Sequence, residues 1–334
     1  MHAITGTTGD ITSILFGIPG EGTSAATILD GYPMTKKGEA GRALGAALTS
    51  SLVAGLEGAL ILAISIPIMR PLVLFFGAPE LFTLTLLGIT FLATLSSSSL
   101  SKGLLAGGIG LAISSVGIED HTGTLRYTLG TIYLWEGLSL APVVVGLFAI
   151  PEIVDLAVRG SSIAEAKVAK ITGVMTGVKD TFRHFWLTMR CGLIGVFVGA
   201  VPGVGAGVSQ WMAYAHAVQS SKDKDRFGKG AVEGVLGPGA SNNSKEGGNL
   251  IPTVAFGVPG TTGMAILLGA FMIVGLTPGP EMLTKHLDVT FAMVWILVIA
   301  NIIAAGVAFM FLNQLVKLTF VRGNLLIPFL LMFV

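Results

Sequence analysis

The sequence predicts an all-α polytopic membrane protein, made of inverted repeats whose Pro-Gly-broken helices meet near the membrane midplane. Three observations lead there. Hydrophobic residues make up 52% of the chain and charged residues only 12%, against about 25% charged in an average soluble domain. Mean hydropathy is +0.80. A ten-residue stretch occurs twice: Ile11 to Gly20 reads ITSILFGIPG, and Ile251 to Gly260 reads IPTVAFGVPG. Lys and Arg gather in a few short stretches, 36–42, 159–190 and 222–229, and leave long apolar runs between them.

The repeated motif is informative because of its chemistry. A proline ring removes a backbone donor, and glycine permits positive φ, so Pro-Gly breaks a helix. A break at membrane depth strands backbone groups that lipid cannot satisfy, and is tolerated only beside a protein-lined cavity. A third Pro-Gly, Pro202-Gly203, opens PGVGAGVS and echoes PGEGTSAA at Pro19. Repeated breaks in an apolar chain point to a secondary-transporter binding site.

A spanning helix needs roughly 20 apolar residues. Arg42 to Ile66 meets this and carries Glu57. Leu81 to Leu95 is shorter and runs into four serines; Gly103 to Ile118 is short and glycine-rich. Thr128 to Ile150 is a full span carrying Glu136, and Phe185 to Val201 ends at the third Pro-Gly. Val204 to Val218 and Thr261 to Leu276 have half-helix length, each following a break. Val289 to Leu312 is the clearest span, and Leu315 to Val334 is a candidate last one.

The basic clusters mark cytoplasmic loops. Four crossings separate the first two, which places both on one side. The loop after Leu276, LTPGPEMLTKHLD, has one Lys and no Arg and reads as periplasmic. The two FG[IV]PG copies are thus followed by loops of opposite charge character, which suggests inverted topology. The expected organisation is a first repeat over 1–150, a cytoplasmic amphipathic connector over 151–184, and a second repeat over 185–334. The connector reads as a helix lying along the membrane surface. No signal peptide is visible in MHAITGTTGD, and the chain stops inside the apolar LIPFLLMFV. Both ends look cut, leaving the first repeat without its N-terminal half and the second without its C-terminal end.

Candidate binding residues follow from the breaks. Gly20, Gly22, Thr23 and Ser24 follow the first, and Gly260, Thr261, Thr262 and Gly263 the second. Gly203, Gly205 and Ser209 follow the third. A helix start offers free N–H groups and about half a positive charge, an anion site without arginine. Glycines let a carboxylate approach the backbone, and hydroxyls add donors. Small residues also mediate tight helix packing, so both readings stand. In ASNNSKEGGN, the oxygens of Ser241, Asn242, Asn243 and Ser244 suit Na⁺, or the stretch is a solvated loop. Folded back into the membrane, it would meet the Gly260 helix start. Its first-repeat counterpart is GTTGD, with Thr7, Thr8 and Asp10.

Other features exclude function classes. The G-x-G-x-G in PGVGAGVS follows an apolar span and not a βαβ unit, so it is no nucleotide fingerprint. No Walker pattern occurs. The net charge of +1 leaves no nucleic-acid footprint. Cys191 is the one cysteine, and His2, His184, His216 and His286 form no cluster. Glu119, Asp120, His121 and Arg126 lie between two spans without the spacing of a closed metal site. Glu57 and Glu136 are functional candidates by their place inside spans, or neutral buried carboxyls. No nucleophile–base pair is visible, so an enzyme is not expected.

Taken together, four stretches resemble one family. They are FGIPGEGTSAATILDGYPMTKKGEAGRALG at 16–45, GGIGLAISSVGIEDHTGTLRYTLG at 107–130, GAVPGVGAGVSQWMAYAHA at 199–217, and the run from Gly237 to Pro280 that contains ASNNSKEGGN and the second FGVPG. The chain resembles the large membrane subunit of the tripartite tricarboxylate transporters, the TctA family. Members of that family are longer at both ends and carry an earlier PGxGP break. The resemblance implies secondary uptake of citrate-like tricarboxylates or related organic anions, coupled to Na⁺ or H⁺ and needing no cofactor. It implies two partners, a small membrane subunit and a periplasmic solute-binding protein, and a multi-pass place in the bacterial inner membrane. The alternative reading is an inactive or assembly-only truncated membrane subunit.

Overall fold

A chain with so few charges satisfies its backbone locally, and helix is the conformation that does this without a partner strand. The computed structural model describes residues 2–17, 24–75, 79, 83, 100–118, 124–135, 137–138, 171–201 and 205–318. Its helices are α1 (His2–Phe16), α2 (Ala25–Lys36), α3 (Ala40–Leu74), α4 (Leu100–Ser114), α5 (Val174–Arg183) and α6 (Phe185–Gly199). There follow α7 (Gly205–Ser220), α8 (Glu233–Phe256), α9 (Thr262–Ile273), α10 (Leu287–Met310) and α11 (Leu312–Leu318). Among the described residues the only strand pairing is a two-residue antiparallel ladder, Gly117 with Arg126 and Ile118 with Leu125. The protein is all-α, as its composition predicts.

The axis of the bundle is α8. Every residue from Glu233 to Ala255 except Ile251 is buried, although the sequence there is polar. Flanking helices α3 and α6 approach it on glycine faces. A Cβ at Gly195 would lie 2.8 Å from the Ser241 carbonyl oxygen, and one at Gly58 2.6 Å from that of Ser244. Gly248 in turn faces the Val196 carbonyl, and Gly247 that of Gly58. Small residues on both sides let backbones close on each other, the device that membrane helices use in place of a hydrophobic drive. Apolar clusters flank the axis. One joins Ile14, Met34, Leu44, Leu48 and Leu236; the other joins Leu62, Leu250, Leu268, Leu283 and Leu297. Outward, α10 exposes Trp295, Ile296, Ile299, Ile302 and Ile303, an apolar face suited to lipid.

Among the described residues two helices, Ala40–Pro71 of α3 and Leu287–Met310, are long and apolar enough to cross a membrane. The expected half-helices after the second and third breaks are α9 and α7. Two expectations are corrected. The polar stretch at 240–249 is no loop but the middle of α8, because helix satisfies its backbone while the glycines serve packing. The span expected from Thr128 begins instead with a turn, closed by Thr131 N–H to the Thr128 carbonyl at 2.9 Å, and then a 3-10 turn at Ile132–Leu134. In the connector, α5 buries Gly177, Asp180 and Thr181 against α3, and Arg42 Nε donates to Asp180 Oδ2 at 2.6 Å. That helix rests Gly177, Asp180 and Thr181 on protein and exposes Met175 and Phe182 together with Lys179 and Arg183. The Leu81–Leu95 span, Glu136 and the chain beyond Leu318 lie outside the described residues.

The repeated motif has a repeated geometry. Gly17 follows α1 with φ +68°, and Gly257 follows α8 with φ +67°. Each donates its N–H four residues back, to Ser13 and Thr253 respectively, at 3.1 Å. The two helices run in opposite directions: Gly6 adjoins Asn242, while Ile14 adjoins Gly31, next to the Asp30 that touches Gly234. The basic segments gather at one end, where Gly41 packs on Thr172 and Gly230 lies beside Met34 and Lys37.

Gly248→Val should cost roughly 1–3 kcal/mol through overpacking, read as a lower thermal midpoint in detergent. Gly306→Ala, where nothing lies within 4 Å of the added carbon, should be neutral or stabilising by up to about 1 kcal/mol.

Candidate substrate and cation site

A helix sets successive side chains about 100° apart, so α8 distributes its polar residues round its circumference. The stripe at 242, 245–246, 249 and 253 follows the helical repeat. Asn242 Nδ2 donates to the Gly6 carbonyl at 2.6 Å and to Asp10 Oδ2 at 3.3 Å. Thr27 Oγ1 donates to Asp10 Oδ1 at 2.8 Å. On its other side the Asn242 carbonyl oxygen accepts from Lys245 Nζ at 3.4 Å. Lys245 Nζ lies 3.8 Å from Glu246 Oε1, and Asn249 Nδ2 donates to Glu246 Oε2 at 3.4 Å. Thr253 Oγ1 closes the series on the Asn249 carbonyl at 2.6 Å.

These groups are deeply buried: Asp10 is 1% exposed, Glu246 3% and Lys245 4%. Charges removed from water cost several kcal/mol each unless paired. Two carboxylates and one ammonium leave this row one negative charge in excess when all are ionised. The oxygen groups on the Asp10 side are the Asp10 carboxylate, the Thr27 hydroxyl and the Gly6 carbonyl, while Asn242 turns its NH2 toward them and its Oδ1 toward Lys245. That donor set suits a hard monovalent cation or a proton.

The second break adjoins the same stripe. A Cβ on Gly260 would lie 3.2 Å from Asn249 Oδ1 and 3.4 Å from the Gly199 carbonyl. Gly199 ends α6 and itself adjoins the Asn249 N–H, so the second break and the end of α6 meet at Asn249. Thr261 caps α9 in extended conformation, its hydroxyl accepting from Met264 N–H at 3.3 Å. Thr262 and Gly263 form the first turn of that helix. Ser24 is buried before α2 and accepts from Ser13 Oγ at 2.9 Å. Gly205 opens α7, in which Ser209 is buried. Gly20, Gly22, Thr23 and Gly203 lie outside the described residues.

The four residues expected to act together on a cation are divided among three faces. Asn242 meets α1. Asn243 Nδ2 donates to Asn301 Oδ1 of α10 at 2.7 Å. Ser241 and Ser244 face Gly195 of α6, and the Ser241 hydroxyl bonds its own helix at Pro238. Of GTTGD, Asp10 joins the stripe, while Thr8 is exposed. Sequence reading passed over Lys245, Glu246, Asn249 and Thr27. The three-and-four spacing of 242, 245, 246 and 249 was the available signal. It also passed over Asp30, whose Oδ1 accepts from Gly230 and Ala231 N–H at 2.8 Å and whose Oδ2 accepts from Tyr214 Oη at 3.0 Å. Glu57, singled out by its place in a span, is buried beside Gly192, and its Oε2 has no hydrogen-bond partner among the described residues.

A sequence profile of the tripartite tricarboxylate transporter TctA family matches residues 3–334. The chain belongs to this family. Among curated proteins, one relative is the "Uncharacterized 52.8 kDa protein in TAR-I ttuC' 3'region" of Agrobacterium vitis, 33% identical over 325 residues. The match covers 97% of this chain and 64% of that relative, so the chain spans less than two thirds of its length. The "Uncharacterized protein in TAR-II ttuC' 3'region" of the same organism is 30% identical over 139 residues, 42% of this chain and 57% of the relative. No solved structure matches the chain. The TctA family is a transporter family, and the breaks and the buried stripe described above lie within the matched region.

Asn242→Ala should destabilise the TctA-family chain by about 1–3 kcal/mol, because Asp10 and Lys245 lose the amide between them. Ser241→Ala removes only a local hydroxyl–carbonyl bond and should cost under about 1 kcal/mol. Thermal melts of the two variants in one detergent compare them directly.

Proposed function

We propose that this chain forms the transporting core of an ion-coupled uptake system for citrate-like tricarboxylates or related organic anions. It works by alternating access in the bacterial inner membrane, as a multi-pass subunit. A small membrane subunit and a periplasmic solute-binding protein complete the system, as the family's tripartite name suggests. The observation that carries the reading is the buried charged stripe of α8, set where oppositely directed helices, the second helix break and the end of α6 meet. Two inverted repeats, 1–150 and 185–334, joined by a cytoplasmic connector over 151–184, account for the antiparallel course of α1 and α8.

In this reading the coupling ion, Na⁺ or H⁺, sits between Asp10, Thr27 and the Gly6 carbonyl, which Asn242 orients through its NH2 group. The anion sits at Gly260–Thr261, where free helix-start N–H groups face Asn249, with Lys245 one turn away as a fixed positive charge. The cation offsets the excess negative charge of the stripe, so its arrival lowers the cost of admitting the anion. That mutual offset is the coupling. Ser241, Asn243 and Ser244 then act on the cation only through the packing of α8.

Uptake of radiolabelled citrate and other organic anions by cells carrying the complete system tests this. Asp10→Asn should raise the Na⁺ or H⁺ concentration for half-maximal uptake at least about tenfold, with protein abundance unchanged; a factor of ten is about 1.4 kcal/mol. Asn243→Ala, on another face, should change it less than about threefold. Gly260→Val should abolish substrate binding while leaving insertion intact, since its side chain occupies the space against Asn249. Uptake that is indifferent to Asp10→Asn and Gly260→Val, yet lost when the chain is deleted, would favour the assembly-only reading.

A further inference from the structure

At the basic end of the bundle, away from the α8 stripe, lies a cavity of about 480 Å³ between the α5–α6 corner and the α7–α8 loop. Arg183, Arg190 and Lys222 line it, with Arg226, His184 and the buried Glu233 behind them. Glu233 is half occupied: its Oε1 pairs with Arg226 and lies 3.8 Å from His184 Nε2, while its buried Oε2 has no hydrogen-bond partner among the described residues. The other carboxylate on the wall, Asp223, accepts from the Asp225 N–H at 3.2 Å. Arg190 Nε donates to the Trp186 carbonyl at 3.3 Å. Among the described residues none of Arg183, Arg190 and Lys222 is paired with a carboxylate. The cavity therefore presents more positive than negative charge.

Its rim is apolar and aromatic. Trp186 is 77% exposed and stacks edge-on against Phe185 at 5.9 Å between ring centres. Phe182 and Met175 continue the exposed apolar surface along α5. A small free anion has no use for such a rim, whereas an amphiphile does. Arginine forks match phosphate oxygens, and tryptophan settles at the bilayer interface. Basic pockets between membrane helices take anionic headgroups.

We propose that this cavity binds the phosphate-bearing headgroup of an anionic phospholipid, with its acyl chains leaving past Trp186 and Phe182. The lipid would brace the α5–α6 corner against the α7–α8 loop, whose end is fixed to α2 through Asp30. This site is separate from the transport reading and stands or falls without it.

Phosphatidylglycerol and phosphatidylcholine are added in turn to the purified protein in detergent. Bound lipid is counted by native mass spectrometry, and stability is followed by thermal melting. Each unpaired cation is worth roughly fivefold in affinity. The wild-type protein should prefer phosphatidylglycerol, and Arg190→Gln with Lys222→Gln should lose about 25-fold of that preference. Arg190→Lys with Lys222→Arg should keep most of it. Should the glutamine variant fail to fold, the wild-type preference should still shrink as salt rises, because the attraction is between charges. A preference absent from the wild type, unmoved by the glutamine substitutions in a folded protein, or insensitive to salt overturns the proposal. So does equal stabilisation by inorganic phosphate, which would assign the cavity to a free anion.

Discussion

The burial of charged and amide side chains along α8 is the constraint to which the rest of the bundle answers. An ammonium, two carboxylates and three carboxamides cannot be left bare inside apolar surroundings. Each must find a partner on another element or on its own helix. Asn242 finds Asp10 and Gly6, Asn243 finds Asn301, and Asn249 finds Glu246. The neighbours must also come close enough to exclude water, which explains glycines at 55, 58, 192, 195 and 199 facing α8 or the Glu57 and Asn301 groups beside it. The polar axis and the glycine faces are two sides of one solution.

The same constraint gives the helix breaks their place. After Gly257 the chain leaves the helix, and by Gly260 it lies beside Asn249, about two turns back along α8. The peptide groups freed by Pro259 and Gly260 thus sit near polar side chains, not lipid. The cap by Thr261 then restarts a helix. Polar residues of α8 and the start of α9 form one locality, in which a charge of either sign meets partners already in position.

Much of this was legible in the chain. Composition fixed the membrane class, and the duplicated FG[IV]PG located two helix ends with matching left-handed glycines, Gly17 and Gly257. The half-helices after the second and third breaks were readable from run lengths. The helical state of 240–249 was not. Seven polar residues and two glycines in ten positions carry the local signature of a loop, and only packing against α3 and α6 makes helix the better state. In the connector, amphipathicity showed that α5 has two faces, yet not that Arg42 and the glycine at 177 would hold Asp180 and Thr181 against α3.

By itself, then, the sequence determined that the protein is helical, membrane-bound and broken at Pro-Gly, since hydropathy, proline sterics and glycine freedom act within a few residues of the chain. Only the tertiary structure decided that Asp10 meets Asn242 across 232 positions, that Ser241 to Ser244 scatter over three faces, and that the second break and the end of α6 meet at Asn249. Those outcomes depend on the rotation of each helix about its axis and the distance at which backbones meet. Both are set by which side chains interlock between helices, and no local pattern specifies that.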